Sequence, residues 1–219
     1  MKRLIIAIDG PSGAGKGTIS RTVSQALGYR HIDTGAMYRA VGWKAGKEGI
    51  PFDDEAGITA LARRAAIVVE GGVVNIDGHD ITRDIRTPDM DKAASAVARL
   101  PRVREVLVAR QRELGAQGGV VMEGRDIGTV VFPKADVKIY LDASADERAR
   151  RRANDPAHTG GEAGQAAVAA SIEARDRSDI TRTASPLTLA DDAVRIDTTG
   201  MPIHAVVDRV MALIRQRLG

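Results

Sequence analysis

Residues 8 to 20 read IDGPSGAGKGTIS, and their spacing could do phosphate chemistry. Gly10, Gly15 and Lys16 fit the pattern G-x-x-x-x-G-K-[ST], while Gly17 fills the hydroxyl position and Thr18 follows one step later. Placed between a strand and a helix, such a loop turns backbone N–H groups and a helix N-terminus toward a polyphosphate. We expect Gly10, Ser12, Gly13, Ala14, Gly15, Lys16, Gly17 and Thr18 to wrap the phosphates of ATP. Lys16, on a solvent-facing loop, should touch the transferring phosphate, and Thr18 should give its hydroxyl to Mg²⁺, as the loop's Ser/Thr does in this class of site.

Other chemically able residues fall at later turns. HIDTGAMYRA puts Thr34, Tyr38 and Arg39 just beyond a second turn; taken alone, that is an N-cap threonine, a core tyrosine and a solvated arginine. EGRDIG carries Glu123, Arg125 and Asp126 after the apolar run Val120 to Met122. Arginines cluster at Arg148, Arg150, Arg151 and Arg152 on one helix and at Arg175, Arg177 and Arg182 on another segment, patterns suited to small polyanions. The first group adjoins NDPAHTGGEAGQ, whose Pro, Gly and His content reads as a mobile lid loop. His31, His79, His158 and His204 are scattered without ligand spacing, so neither histidine catalysis nor zinc is expected. DTTG at Asp197 to Gly200 matches a switch-GTPase pattern, but it lies near the C-terminus and no N-K-x-D motif accompanies it; we read it as chance.

The elements that must position these residues alternate. Leu4 to Ile8 is a buried parallel strand, Lys16 to Leu27 a helix stopped by Gly28, and Ala36 to Lys47 a second helix. After a helical stretch near Glu55 to Ala65, IVVEGGVVNIDGHDIT has β-rich runs parted by Gly71-Gly72 and Asp77-Gly78, both hairpin signals. Helices follow at Pro88 to Ala98 and Pro101 to Leu114, then strands GVVMEG and DVKIYLD. SADE, a capping box, opens the arginine-rich helix; a helix to about Asp179, the strand AVRID and a helix from Pro202 to Leu218 end the chain. This order implies a doubly wound parallel sheet with ligands at the carboxyl ends of its strands. The chain has 219 residues, 43% of them hydrophobic, enough for a substantial core. A net charge of +3 from 32 basic and 29 acidic residues, with one tryptophan, argues against nucleic acid as partner. The absence of cysteine suits a reducing, cytoplasmic setting, and no apolar stretch reaches membrane-spanning length.

The spelling GKGT and the ordered motifs GPSGAGKGT, DTGAMYR, SAVARLPRVR, GRDIGTVVFPKADVKIYLDAS, ERARRR and RDRSDITRTASPL make almost the whole chain resemble the bacterial cytidylate kinases, nucleoside monophosphate kinases of the P-loop class. The β-rich insert at about residues 67 to 81 is similar to one that marks that family. The resemblance implies an α/β P-loop kinase core (1–33, 101–147 and 180–219), an acceptor-binding segment with a small antiparallel β meander (34–100), and a short lid with its following helix (148–179). It implies transfer of the γ-phosphoryl group of ATP to CMP or dCMP with Mg²⁺, by a monomer. It places Ser95, Arg104 and Asp126 on cytosine, Arg175 and Asp179 on the sugar, and Arg39, Arg125 and Arg182 on the acceptor phosphate, with Thr34 in the same segment. Lys16, Arg39, Arg125 and Arg152 form the implied catalytic set, although the residues alone do not choose among Arg148, Arg151 and Arg152, nor decide whether Glu123 orders water near Mg²⁺ or merely ends its strand. Independently of the resemblance, cytosine offers acceptors at O2 and N3 and a donor amine at N4, which one arginine beside one carboxylate can read.

Overall fold

The computed structural model describes residues 3–155 and 165–218. Ile5–Asp9 forms β1, an apolar run buried from Ile6 onward, and Lys16–Leu27 forms α1, which ends at Gly28 in the left-handed region as its glycine stop requires. Arg30–Asp33 is a strand, β2, where the sequence showed only a turn. It lies at the sheet edge, where polar residues such as Arg30 and His31 are tolerated and hide it from a search for apolar runs. Helix α2 then runs Thr34–Lys47, two residues earlier than expected. Its N-cap is Asp33, whose side chain accepts from Ala36 N at 3.0 Å, leaving the Thr34 hydroxyl to donate to the Glu123 carbonyl at 2.7 Å.

Helix α3 (Glu55–Arg64) leads into the insert, strands β3 (Ile67–Glu70), β4 (Val73–Ile76) and β5 (His79–Asp80), which pair antiparallel. Both two-residue turns have positive φ at each central residue, including Asp77 at 50°, as a type I′ turn demands. Then come α4 (Pro88–Ala98), α5 (Pro101–Gly115), β6 (Val120–Gly124), β7 (Val137–Asp142), α6 (Ala145–Ala153), α7 (Gln165–Thr181), β8 (Val194–Asp197) and α8 (Ile203–Leu218). SADE is half a capping box. Ser144 accepts from Glu147 N at 3.3 Å, but the Glu147 carboxylate turns to Arg150 and Arg151, and Thr199 takes the Ser144 amide.

The main sheet is parallel in the order β2-β6-β1-β7-β8. One face packs Ile6, Ile8, Ile139 and Leu141 against α1 and α8; the other packs Ala7, Ile32 and Met122 toward Val108 of α5. A separate cluster joins α2, α3, α4, the insert and the inner face of α5 through Val41, Leu61, Ile76, Ile85, Val97 and Leu107. Because β1 lies between β6 and β7, the chain reverses direction of winding beside its carboxyl end, where open α/β sheets bind ligands. Among the described residues no helix is long and apolar enough to cross a membrane.

Candidate active site

The glycine-rich loop leaves β1 at that reversal point. Gly10, at φ 148°, passes so close to β7 that a Cβ would sit 2.0 Å from the Leu141 carbonyl oxygen, and one on Gly13, at φ 78°, would sit 2.8 Å from that of Arg148. Gly15 caps α1 in the left-handed region, at φ 90°. Gly17 differs: its backbone is helical, and a Cβ there would meet only the two carboxylate oxygens of Glu123, at an ordinary 3.5 and 3.8 Å. The backbone therefore does not demand glycine at the hydroxyl position, and the side chain standing beside it is the carboxylate of Glu123. That carboxylate is held by His31 Nε2 at 2.8 Å.

Lys16 corrects one expectation. It is buried at 7% exposure, not solvent-facing, with its ammonium donating to the Gly10 and Pro11 carbonyls at 2.8 and 2.7 Å. The helix-facing residue of so tight a loop has nowhere else to run. Burial, then Arg125 and Arg175 nearby, hold its pKa well below the lysine range against Glu123 and Asp176.

Loop residues Ser12 through Thr18 line a groove of about 740 Å³, with Thr18 exposed. Its opposite wall is Thr198, Met201, Pro202, Ile203 and Val206, largely apolar and suited to a flat base. Of DTTG, Thr198 thus lines the groove. Arginines of α6 fasten the loop: Arg148 donates to the Ser12 carbonyl at 3.1 Å, Arg151 to Thr198 Oγ1 at 2.9 Å, and Arg152 to Ser12 Oγ at 3.1 Å. Asp176 of α7 accepts from Ser12 N at 2.9 Å and pairs with Arg148.

A second, much smaller cavity, about 40 Å³, opens beside the groove. Thr34, Ser95, Arg104, Arg125, Asp126, Arg175, Asp179 and Arg182 line it, together with Tyr38 and Gly35. These are all the residues expected at the acceptor except Arg39, which lines the larger groove next door. Arg104 and Asp126 are 3% and 5% exposed and paired at 2.5 Å, with the Arg104 guanidinium over the Tyr38 ring at 5.3 Å. Arg125 donates to Asp179 at 2.8 Å, Arg182 lies 3.5 Å from the same acid, and Ser95 meets Ser178 of α7 at 3.2 Å. Buried donors on Arg39, Arg104, Arg175 and Arg182 find no hydrogen-bond partner among the described residues. Buried polar groups are nearly always satisfied, so orphans on Arg104, Arg175 and Arg182 around one cavity, with Arg39 in the adjoining groove, mark a place built for an anionic or acceptor-rich ligand.

Several functional side chains carried no sequence signal. Asp9 ends β1, and its two oxygens accept from Ile127 N at 2.9 Å and Gly128 N at 2.7 Å; this opens a π-helical turn, Ile127–Val131, immediately after Arg125 and Asp126. Burial pushes Asp9 up to about 6 despite those two bonds. Asp33 goes the other way: burial raises it, but Arg39 and Arg86 outweigh that and bring it to about 2. Asp91 of α4 and Asp176 of α7 touch arginines that the sequence did mark, yet sit in helices with nothing to single them out. The expected lid loop falls largely on residues 156–164, outside the described residues.

A glycine-rich loop at the sheet's reversal point, a buried lysine and a ring of guanidinium groups between two ligand-sized regions define a P-loop kinase. The likeness extends to a solved gluconokinase from Sinorhizobium meliloti 1021, at TM-score 0.54 and 16% identity over 99% of this chain and 94% of that one, which bears on the fold alone. The family model for cytidylate kinase matches residues 6–216. Curated cytidylate kinases from Pelotomaculum thermopropionicum and Desulfitobacterium hafniense (strain Y51) are 50% identical over 214 residues and 46% over 220, in each case spanning at least 95% of both chains. The chain belongs to the cytidylate kinase family.

Proposed function

We propose that the chain transfers the γ-phosphoryl group of ATP to the phosphate of CMP or dCMP, giving ADP and CDP or dCDP. The observation that carries this reading is the buried Arg104–Asp126 pair in the lining of the smaller cavity, beside Arg125, Arg175 and Arg182. Arginine can donate to cytosine O2 and N3, and the carboxylate can accept from N4. Arg39, Arg125 and Arg182 bind the acceptor phosphate, Arg175 and Asp179 the sugar, and Thr34 and Ser95 complete the pocket. In the groove the loop amides and Lys16 hold the donor phosphates, and the Met201 to Val206 wall takes the adenine.

A phosphate acceptor is already an oxyanion nucleophile, so the reaction needs no general base. The chain's work is alignment and charge neutralisation by Lys16, Arg39, Arg125 and Arg152. Mg²⁺, when bound, neutralises charge on the phosphates being transferred. The residues fit it in a limited way: Thr18 offers a hydroxyl at the groove, Glu123 a carboxylate beside Gly17, and no three acidic or histidine side chains converge among the described residues, so most ligands would be phosphate oxygens and water. The acceptor cavity, about 40 Å³, is far too small for a nucleotide, so α2, α4 and α7, which line it, would have to move apart to admit one. A coupled ADP-release assay over a panel of CMP, dCMP, UMP, AMP, gluconate and shikimate tests the function. CMP and dCMP should lead, and a preference for a non-nucleotide acceptor would overturn it.

A further inference from the structure

Asp91 has no role in the chemistry above. It sits in the first turn of α4 with its side chain 13% exposed. Its Oδ1 accepts from Arg39 Nε at 3.1 Å and from Arg175 at 2.6 Å, and its Oδ2 lies 3.7 Å from Arg152. Those arginines come from α2, α7 and α6, so a single carboxylate is where cations from the acceptor side and from the lid side meet.

We propose that Asp91 is a positioning residue for the acceptor nucleotide, fixing the planes of Arg39 toward its phosphate and of Arg175 toward its sugar and setting the charge of the ring; this rests on the reading of the site as that of a CMP kinase. A guanidinium is a rigid planar fork, so anchoring one donor aims the others. Arg39 and Arg175 are each anchored on Asp91, and each keeps one buried donor with no hydrogen-bond partner among the described residues: Nη1 of Arg39, which lies 3.6 Å from Asp33, and Nε of Arg175.

An acid next to a phosphate site also repels the ligand, and counting charges decides which effect wins. Three guanidinium groups, Arg39, Arg152 and Arg175, share the one negative charge of Asp91, so that carboxylate by itself cannot cancel their attraction for a phosphate monoester, about −1.5 to −2 at neutral pH. Without Asp91 the three cations would repel one another and lose their common anchor. The crowding is already felt: burial, together with Arg125 and Arg39, brings Arg175 down to about 10 even with Asp91 opposing. Asp33 also draws on the charge of Arg39, but at 3.6 Å it does not fix the guanidinium plane as the 3.1 Å hydrogen bond to Asp91 does.

The test is Asp91→Asn, which keeps the shape and removes the charge. With saturating ATP, KM for CMP should rise about tenfold or more, as misdirected binding groups lose their effect steeply with position. KM for ATP should stay within about twofold, and inhibition by cytidine, which keeps the base and the sugar contact of Arg175 but has no phosphate, should weaken far less than KM for CMP rises. Asp91→Glu should recover part of the loss. If wild type phosphorylates CMP and the variant's KM is unchanged or lower, this proposal alone fails; so it does if cytidine inhibition weakens in parallel, since the damage is then general. A wild type inert toward CMP overturns the site reading and this proposal with it. Should Asp91→Asn be insoluble, Asp91→Ser carries the same measurements.

Discussion

Replacing Asp126 by alanine should convert a cytosine-selective kinase into one that treats CMP and UMP nearly alike. Cytosine presents an amine at the position where uracil has O4, so the Asp126 carboxylate accepts from the first and repels the second. A site built around a substrate N–H rejects an analogue lacking it by up to roughly 10⁴-fold, and that margin is what the variant stands to lose. Stability falls too. Asp126 is paired with Arg104 at 2.5 Å and lies 3.8 Å from Arg182, all buried, and removing one partner of a buried pair costs about 3 to 5 kcal/mol. That is a large share of a typical domain's stability, about 5 to 15 kcal/mol, so kinetics belong at low temperature, alongside urea denaturation to fix the folded fraction. Asp126→Asn is the companion variant. It keeps the volume, and its amide can offer a donor to O4 of uracil, so it should narrow the ratio from the UMP side as well. The assay is kcat/KM for CMP and UMP under identical ATP and Mg²⁺. A CMP-to-UMP ratio equal to that of wild type in both variants, with the protein folded, would refute the assignment of Asp126 as base reader.

Lys16→Ala should lower kcat by about a hundredfold or more, on the order of 3 kcal/mol in barrier, while leaving Tm unchanged or higher because a buried, crowded cation is removed; near-normal turnover would break the loop assignment. Asp9, raised by burial from 3.8 to about 6, takes its proton more readily folded than unfolded, so its contribution to stability is least above pH 6 and grows as pH falls toward 3.8, by about 3 kcal/mol over that interval. Urea midpoints should therefore move in favour of wild type over Asp9→Asn between pH 7.5 and 4.5, and movement the other way contradicts the burial argument. Gly10→Ala should abolish soluble protein, since its methyl group would overlap the Leu141 carbonyl of β7. Gly28→Ala, at φ 63° but in open space, should cost only about 1 to 2 kcal/mol and keep activity; equal Tm values for the two would show that the close approach to β7 is not what demands glycine.

What the chain disclosed beforehand was local. Gly71-Gly72 and Asp77-Gly78 announce their turns because a two-residue hairpin needs positive φ at adjacent positions, and the glycine loop announces itself because strand, loop and helix are contiguous. The acceptor residues came from resemblance: Arg104 and Asp126 are 22 positions apart, and no period links them. Asp91, Asp176 and Asp9 stayed hidden because each acts on a partner brought near only by the tertiary fold, such as Ser12 N for Asp176, 164 residues away. The π-helical turn after Asp126 owes its start to Asp9 on another strand, so its own residues, IGTVV, could not reveal it. Lys16 was misjudged because a loop motif gives the sequence of a turn but not how deeply the sheet encloses it.

Helix α7 ties these parts together through Arg175 on Asp91, Asp176 on the phosphate loop and Asp179 on Arg125, and it sets Arg182, the residue just past its end, facing Asp126. The consequence concerns length. With 3.6 residues per turn, inserting or deleting one residue between Asp176 and Asp179 turns everything on one side by about 100° relative to the other. The donor-side and acceptor-side contacts could then no longer be made by the same helix. Point substitutions along α7 trim single contacts, whereas a one-residue change of length there uncouples the two halves of the site, and the hairpin tip at Gly71-Gly72, where a Cβ would meet nothing within 4 Å, has no such constraint.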